Sequence, residues 1–431
     1  MAKKSTEVSS PKEALSEKID AANKVVLGRM FGAEPVLVDV QPAGAVIEGL
    51  RRNLILHAGP PIEWDRMCGP MRGAICGIAV FEGWANDLAA AERAAASGKF
   101  SFAPNHHYGA VGPMTGVITL SQPVFIVENR KFGNRAYCTI NEGLGKVMRF
   151  GGNDAEVLNR LRWIADVLGP ALSASLQEKG GLPLKGIIAR GLAMGDEMHQ
   201  RNLACSALFL REIAPSLART AQDTRRLAEV LDFIGQNDQF FLNIAMAMGK
   251  AIMDPTRNVK SSTIVTAMCR NGTDFGVRVS TTGDQWFTAP VGVPQGLYFP
   301  GYSEKDANPD MGDSAILETI GLGGFAMATA TAVAGFVGAG SAREAASFTR
   351  AMYEITISRS PDWTMPNLDY AGVPTGIDVR KVVRTGTTPV INTGIAHKQP
   401  GIGQVGAGIA RAPIGCFEKA LTAAAQSLGV E

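Results

Sequence analysis

At 431 residues the chain is too long for one ordinary hydrophobic core, and the usual domain size predicts about two or three packed units. An apolar content of 46% with 19% charged residues excludes a disordered or fibrous chain. Lys+Arg 42 against Asp+Glu 40 leaves a formal charge of +2, which excludes a global basic field for nucleic acid or an anionic membrane, so any anion recognition must be local.

The first residues, MAKKSTEVSSPKEALSEK, are polar and charged and carry no apolar stretch of the kind a secretory signal needs, which predicts a flexible tail over 1–17 and a cytoplasmic chain. Six cysteines scattered without a C-x-x-C pair fit reduced thiols in that compartment. Helical spacing over Lys18 to Met30 leads into the apolar run Pro35 to Val40, which reads as a buried strand. Asp87 to Ser97 is an alanine-rich helix stopped by Gly98, and Val117 to Leu120 and Pro123 to Val127 read as strands broken by a turn at Ser121. Together these give an N-terminal α/β unit over 18–152. Amphipathic stretches at Ala155 to Leu168, Leu203 to Ile213 and Thr224 to Ile234 predict a mostly helical unit over 153–255.

Short β-rich runs return at Ser262 to Met268 and Gly276 to Ser280, giving a C-terminal α/β unit over 256–431 and a mixed α/β, multi-domain fold class. Within it, Thr319 to Ser341 carries no charge and is long enough to cross a bilayer, but Gly, Ala and Thr dominate it. Such a composition predicts a tightly packed buried helix instead. No solenoid repeat and no long linker appears, so the units are expected to share interfaces.

Two familiar patterns are set aside. Gly401 to Gly406 (GIGQVG) follows AHKQP where a dinucleotide site needs a buried strand, and Pro413 leaves little room for a following helix. Glu142 to Lys146 (EGLGK) resembles the end of a phosphate loop, yet Ile140 stands where its first glycine belongs and Val147 where Ser or Thr should bind magnesium. Glu142 itself stays among the catalytic candidates. There is no G-x-S-x-G, no H-E-x-x-H and no paired-cysteine signature, so neither cofactor nor metal is expected.

Only five histidines occur, four of them in polar clusters. His106 and His107 follow Asn105 in PNHHYG, where they either transfer protons or simply close a turn. In GDEMHQRN, helical geometry would set Asp196 beside His199 and Glu197 beside Arg201. One reading is a salt-bridged helix start. The other has Asp196 or Glu197 fixing the His199 tautomer while Arg201 and Asn202 reach a carboxylate. A lone D-x-x-H lacks the second motif of a di-metal bundle. Arg270 and Asn271 end a strand-like run, with Arg270 offering a planar fork for an anion and Trp286 either walling a pocket or filling the core. Asp313 or Ser314 is placed to cap the uncharged helix. Finally, PTGIDVRK and VINTGIAHK gather Asp378, Arg380, Lys381, Asn392, His397 and Lys398 among glycines, the best local anion site in the sequence unless it is a solvated face.

Taken in order, PNHHYGAVGPM, NEGLGKVMRFG, MGDEMHQRN, RNGTDFG, QWFTAPV, GDSAILETIGLGG, PTGIDVRKV and INTGIAHKQPGIGQVGAG resemble the AllG (YlbE-like) family of oxamate carbamoyltransferase subunits from about residue 20 to the end. The resemblance implies α/β or helical subdomains and a cytoplasmic role in ureide metabolism linked to allantoin breakdown. It also implies homo- or hetero-oligomers with AllF-like and AllH-like subunits. The Ser-Thr-Arg-Thr phosphate loop of the aspartate and ornithine carbamoyltransferases is absent, so carbamoyl transfer between oxalurate and phosphate would need a different site. In that site His106, His107 or His199 would move a proton or stabilise an oxyanion, and Arg270, Arg380, Lys381 and Lys398 would hold small anionic substrates. The alternatives are a hydrolase or transferase of another small ureide or amide, and a non-catalytic scaffold.

Overall fold

A computed structural model describes residues 11–335 and 341–429. Of the expected tail, residues 1–10 lie outside the described residues, while Pro11 already opens the first helix, Pro11–Gly32. The strand Pro35–Pro42 pairs antiparallel with Pro123–Asn129 and with Leu182–Pro183, and Arg135–Thr139 completes a four-stranded sheet. Its apolar run is continuous because helices cover it. Phe240–Met253, buried at every position, packs on this sheet, as does Gly169–Lys179. Burial of Phe240 and Phe241 stabilises the fold by about 1.5–3 kcal/mol for each side chain.

Asp87 caps the helix Leu88–Ala96 by accepting the Ala90 N–H, and Ser97 closes it. Val117 to Leu120 does not form the expected strand. The Thr119 N–H is taken by the Gln122 side chain, and Ile118 makes only an isolated bridge to Leu56. Helices dominate from Ala155–Trp163, which runs on into a π-turn at Ile164–Leu168, through Leu203–Thr220 and Thr224–Gly235.

In the C-terminal part, Val265–Asn271 is buried throughout and lies between Asp274–Val279 and Met311–Gly312, with Phe287–Pro290 at the edge. The helix Ile414–Ser427 covers this sheet. Val390–Ala396 and Gln404–Arg411 pair in a second antiparallel sheet with Gln295–Tyr298. GIGQVG therefore runs into a strand, the wrong element for a dinucleotide site.

The small-residue stretch is not one helix. Its described part is a turn of helix at Ile316–Thr319, a 3₁₀ turn at Gly323–Ala326 and a short helix at Thr331–Ala334, while 336–340 lie outside the described residues. Gly321 and Gly323 have φ of +93° and +59°, left-handed values that interrupt any helix. Burial through Ala330 is as expected, but close packing is achieved by an irregular chain. No helix among the described residues is long and apolar enough to cross a membrane.

Candidate functional site

The residues Asp310 to Thr319, DMGDSAILET, form a buried hub that touches most of the polar clusters read from the sequence. Asp310 pairs with Arg270, Asp313 accepts from Asn105, Ser314 accepts from Arg270, and Glu318 pairs with His199. Asp313 and Ser314 do not cap the following helical turn, whose N-cap is Ala315 without a side-chain bond. The Asp313 carboxylate instead accepts the Gly59 and Gly112 N–H groups and the Asn105 amide, each at 2.9 Å. Burial still pushes its carboxyl up to about 6.

GDEMHQRN is a loop, not a helix start, because Gly195 and Met198 both take positive φ, +94° and +76°. The expected Asp196–His199 pair is therefore not made. Asp196 reaches the next helix instead, accepting the Cys205 N–H at 2.8 Å, with Arg201 Nε 3.4 Å from its other oxygen. Glu197 Oε1 accepts three consecutive backbone N–H groups, those of His199, Gln200 and Arg201, and Oε2 accepts from Asn392 Nδ2 at 2.9 Å. Burial raises both the Asp196 and the Glu197 carboxyl. The Met198 backbone is held in a costly conformation by this crown of bonds. Such strain is concentrated at functional sites.

The crown presents His199 to a narrow cavity. His199 Nδ1 lies 2.7 Å from Glu318 Oε1, which also accepts the Gly324 N–H. The pairing favours a proton on Nδ1 and leaves Nε2 for a ligand. The cavity has only about 20 Å³ of free volume and is lined by His199, Gln200, Arg149, Gln239, Ser314 and Gln404, with Met114, a second non-glycine residue at positive φ (+57°), on its wall. Arg149 is buried. It donates from Nη2 to Gly143 O and Gln239 Oε1, and Glu142 fixes its backbone by accepting the Met148 and Arg149 N–H groups. Burial lowers its pKa to about 10, so it remains a cation at neutral pH. Burial raises Glu142. Buried Arg149 Nε, Gln404 Oε1, Glu318 Oε2 and Asn392 Oδ1 all lack protein partners. That is a concentration of unused donors and acceptors.

The structure divides the sequence candidates into three groups. Glu142, Asp196, Glu197, His199, Arg201, Asn202 and Asn392 lie at or behind this cavity. Arg270 stands behind Ser314, but its fork is spent on Asp310, Gly312 O, Ser314 and Thr393 and offers nothing to a ligand. Asn105, His106, His107 and Trp286 form a second cluster around Asp313, in which Trp286 Nε1 donates to His107 Nε2. Burial lowers the pKa of His107 to about 4 and holds that of His106 well below the usual imidazole range, so both are neutral. Asn271 closes a turn, accepting from Thr273 and Asp274.

The third group lies apart from both. Asp378 caps its helix and clamps Arg380, whose outer nitrogen also meets Asp20, and Lys381 donates to Thr356 O. The Lys398 Nζ donates to Lys305 O at the surface, and His397 Nδ1 accepts the Gln399 N–H. PTGIDVRK and VINTGIAHK thus do not converge: Asp378, Arg380 and Lys381 line a separate cleft with Asp20, Lys24 and Arg384, while Asn392 stands behind the His199 cavity by donating to Glu197.

The family model described as oxamate carbamoyltransferase subunit AllG matches residues 100–314. Over 95% of this chain and 98% of the relative, the chain is 52% identical to a protein of Escherichia coli (strain K12) named oxamate carbamoyltransferase subunit AllG. The chain belongs to the AllG family. A second E. coli relative, the uncharacterized protein YahG, is 44% identical over 96% of this chain and 88% of its own length. The crystal structure of a conserved protein of unknown function from Enterococcus faecalis V583 superposes with a TM-score of 0.94 at 46% identity, covering 96% of this chain and 99% of that one.

Arg149, Gln239, Gln404, Asp310 and Glu318 were not legible in the sequence as members of this candidate site or of the hub behind it. Glu318 carried a usable signal, since a lone carboxylate entering an uncharged buried run must find a partner. Arg149 carried a weaker one, within NEGLGKVMRFG.

Proposed function

We propose that the chain is a subunit of an oxamate carbamoyltransferase and that the His199 cavity binds its small anionic substrates. The relative named for that activity supports the reading, as does one observation of the site: a carboxylate-backed imidazole and a buried arginine line one cavity. The reaction is carbamoyl exchange, with oxalurate and phosphate giving oxamate and carbamoyl phosphate. Arg149 would neutralise charge growing on the carbamoyl oxygen, an interaction worth about 3 kcal/mol for each well-placed donor. His199, held by Glu318, would carry the proton of the amide nitrogen. The Gln200, Gln239 and Gln404 amides suit the amide and carbonyl groups of oxamate.

The free space at the centre of the cavity is about 20 Å³, room for a single water. Substrate entry therefore requires the walls to part, and AllF-like or AllH-like subunits in the cytoplasm would complete the site. This tightness also favours a second reading, in which the chain positions a partner's active site.

Co-purification with candidate partner subunits, followed by an oxalurate assay with and without phosphate, tests the function. Phosphate-dependent release of oxamate is expected. A thermal shift of this chain alone separates the two readings: stabilisation by about 2.7 kcal/mol at a hundredfold excess of oxamate over its Kd supports binding here. Activity in the assembly with no ligand response and no effect of substitutions in the cavity assigns this chain to the scaffold role.

A further inference from the structure

The second cluster contains an arrangement that stands apart from the His199 cavity. His106, Cys269 and Asp313 are all buried, and one ligand atom from each lies within 4.8 Å of the other two. His106 Nε2 stands 3.7 Å from Asp313 Oδ1. That is too long for a hydrogen bond. Two ligands of one tetrahedral zinc ion, each about 2.1 Å from the metal, stand about 3.4 Å apart, so the spacing suits a shared ion better than a direct contact.

Three further observations point the same way. Neither ring nitrogen of His106 has a partner, although the side chain is shut off from solvent. Asp313 pairs directly with no lysine or arginine among the described residues, and the Arg270 charge favours its ionised form only at a distance. Its carboxylate is nevertheless held rigidly, by Gly59 N–H, Gly112 N–H and Asn105 Nδ2, in the way outer donors orient a metal ligand. An imidazole, a thiol and a carboxylate form a donor set for zinc, not for magnesium or calcium.

We propose that His106, Cys269 and Asp313 bind one Zn²⁺ ion, with Cys269 as thiolate. Binding releases the thiol proton to solvent and oxidises nothing. The ion ties the turn Asn105–Tyr108 and the strand Val265–Asn271 to the hub segment, next to Ser314 on the cavity wall. Three protein ligands leave a fourth position for water. The inference stands on this cluster alone and does not depend on the proposed reaction.

The test uses the full-length chain, purified without a histidine tag, with elemental analysis of the protein as isolated and absorption spectra after replacing the metal with Co²⁺. About one zinc per chain and a thiolate-to-cobalt charge-transfer band are expected. Cys269→Ser should abolish the band and weaken Zn²⁺ binding at least about 100-fold, whereas Cys76→Ser should keep both. If Cys269→Ser does not fold, the wild-type spectrum still decides. A wild-type protein with no stoichiometric metal and no charge-transfer band, even after refolding with Zn²⁺ or Co²⁺, overturns the proposal and leaves a bridging water. So does a band that survives in Cys269→Ser.

Discussion

Replacing Arg270 by Met removes the cation that organises the hub. Arg270 and Asp310 are both fully buried, with Nε 2.6 Å from Asp310 Oδ2 and Nη2 3.3 Å from Oδ1. Three more bonds, to Gly312 O, Ser314 Oγ and Thr393 Oγ1, complete the guanidinium. The substitution leaves the Asp310 carboxylate with only the Met311 N–H and the Thr393 hydroxyl. Breaking a buried pair from one side costs about 3–5 kcal/mol. Replacing both partners, as in Arg270→Met with Asp310→Leu, should restore most of that loss, because no orphaned charge remains. Urea unfolding of the four proteins of the cycle measures it, with the slope m checked for constancy. Since Ser314 also loses its donor, the double variant should recover stability without recovering the cavity's ligand response. A single-variant cost below about 1 kcal/mol would show that solvent reaches the pair and would refute the buried-hub account.

His57 is fully buried and its pKa is lowered to about 4, first by burial. Its neutral form therefore contributes stability that is fully present above the unfolded value near 6.5 and is lost as pH falls toward 4, an upper limit of about 3 kcal/mol. His57→Gln should flatten the dependence of the urea midpoint on pH in that window, and an unchanged slope would contradict it. At Gly323, with φ +59°, a Cβ would stand 2.0 Å from Glu318 Oε1, so Gly323→Ala should push Glu318 off His199 and reduce turnover of the assembly more than tenfold. The exposed Gly28, in the first helix with nothing within 4 Å of an added Cβ, is the contrasting case. Gly28→Ala should raise stability by about 0.5–1 kcal/mol in the same denaturation assay.

Elements whose cause is local were legible. Asp87 and Ser97 bracket their helix in sequence as in space, and the run at Pro35 reads as a covered strand. Where tertiary contacts decide, the local signal misleads. GDEMHQRN has helical spacing, but Glu197 draws three backbone N–H groups onto one carboxylate and folds the segment back. The small-residue stretch reads as a helix, yet its paired glycines allow backbone approach by Val390 and Pro374 that regular geometry would prevent. The candidate site shows the same division. His199 stood out through scarcity and polar neighbours, while its partner Glu318 lies 119 residues away and Arg149 depends on Gln239, 90 residues on. Arg270 looked like an anion fork because sequence cannot show that Asp310 already occupies it.

If His199, backed by Glu318 and lining one cavity with Arg149, forms the proposed working site, its imidazole must be needed for turnover. Turnover of the reconstituted assembly containing His199→Gln, compared with wild type at matched subunit stoichiometry and melting temperature, measures this directly. A fall of about 100-fold or more in kcat with the assembly intact is the expected result. Wild-type turnover from the variant would remove His199 from the mechanism.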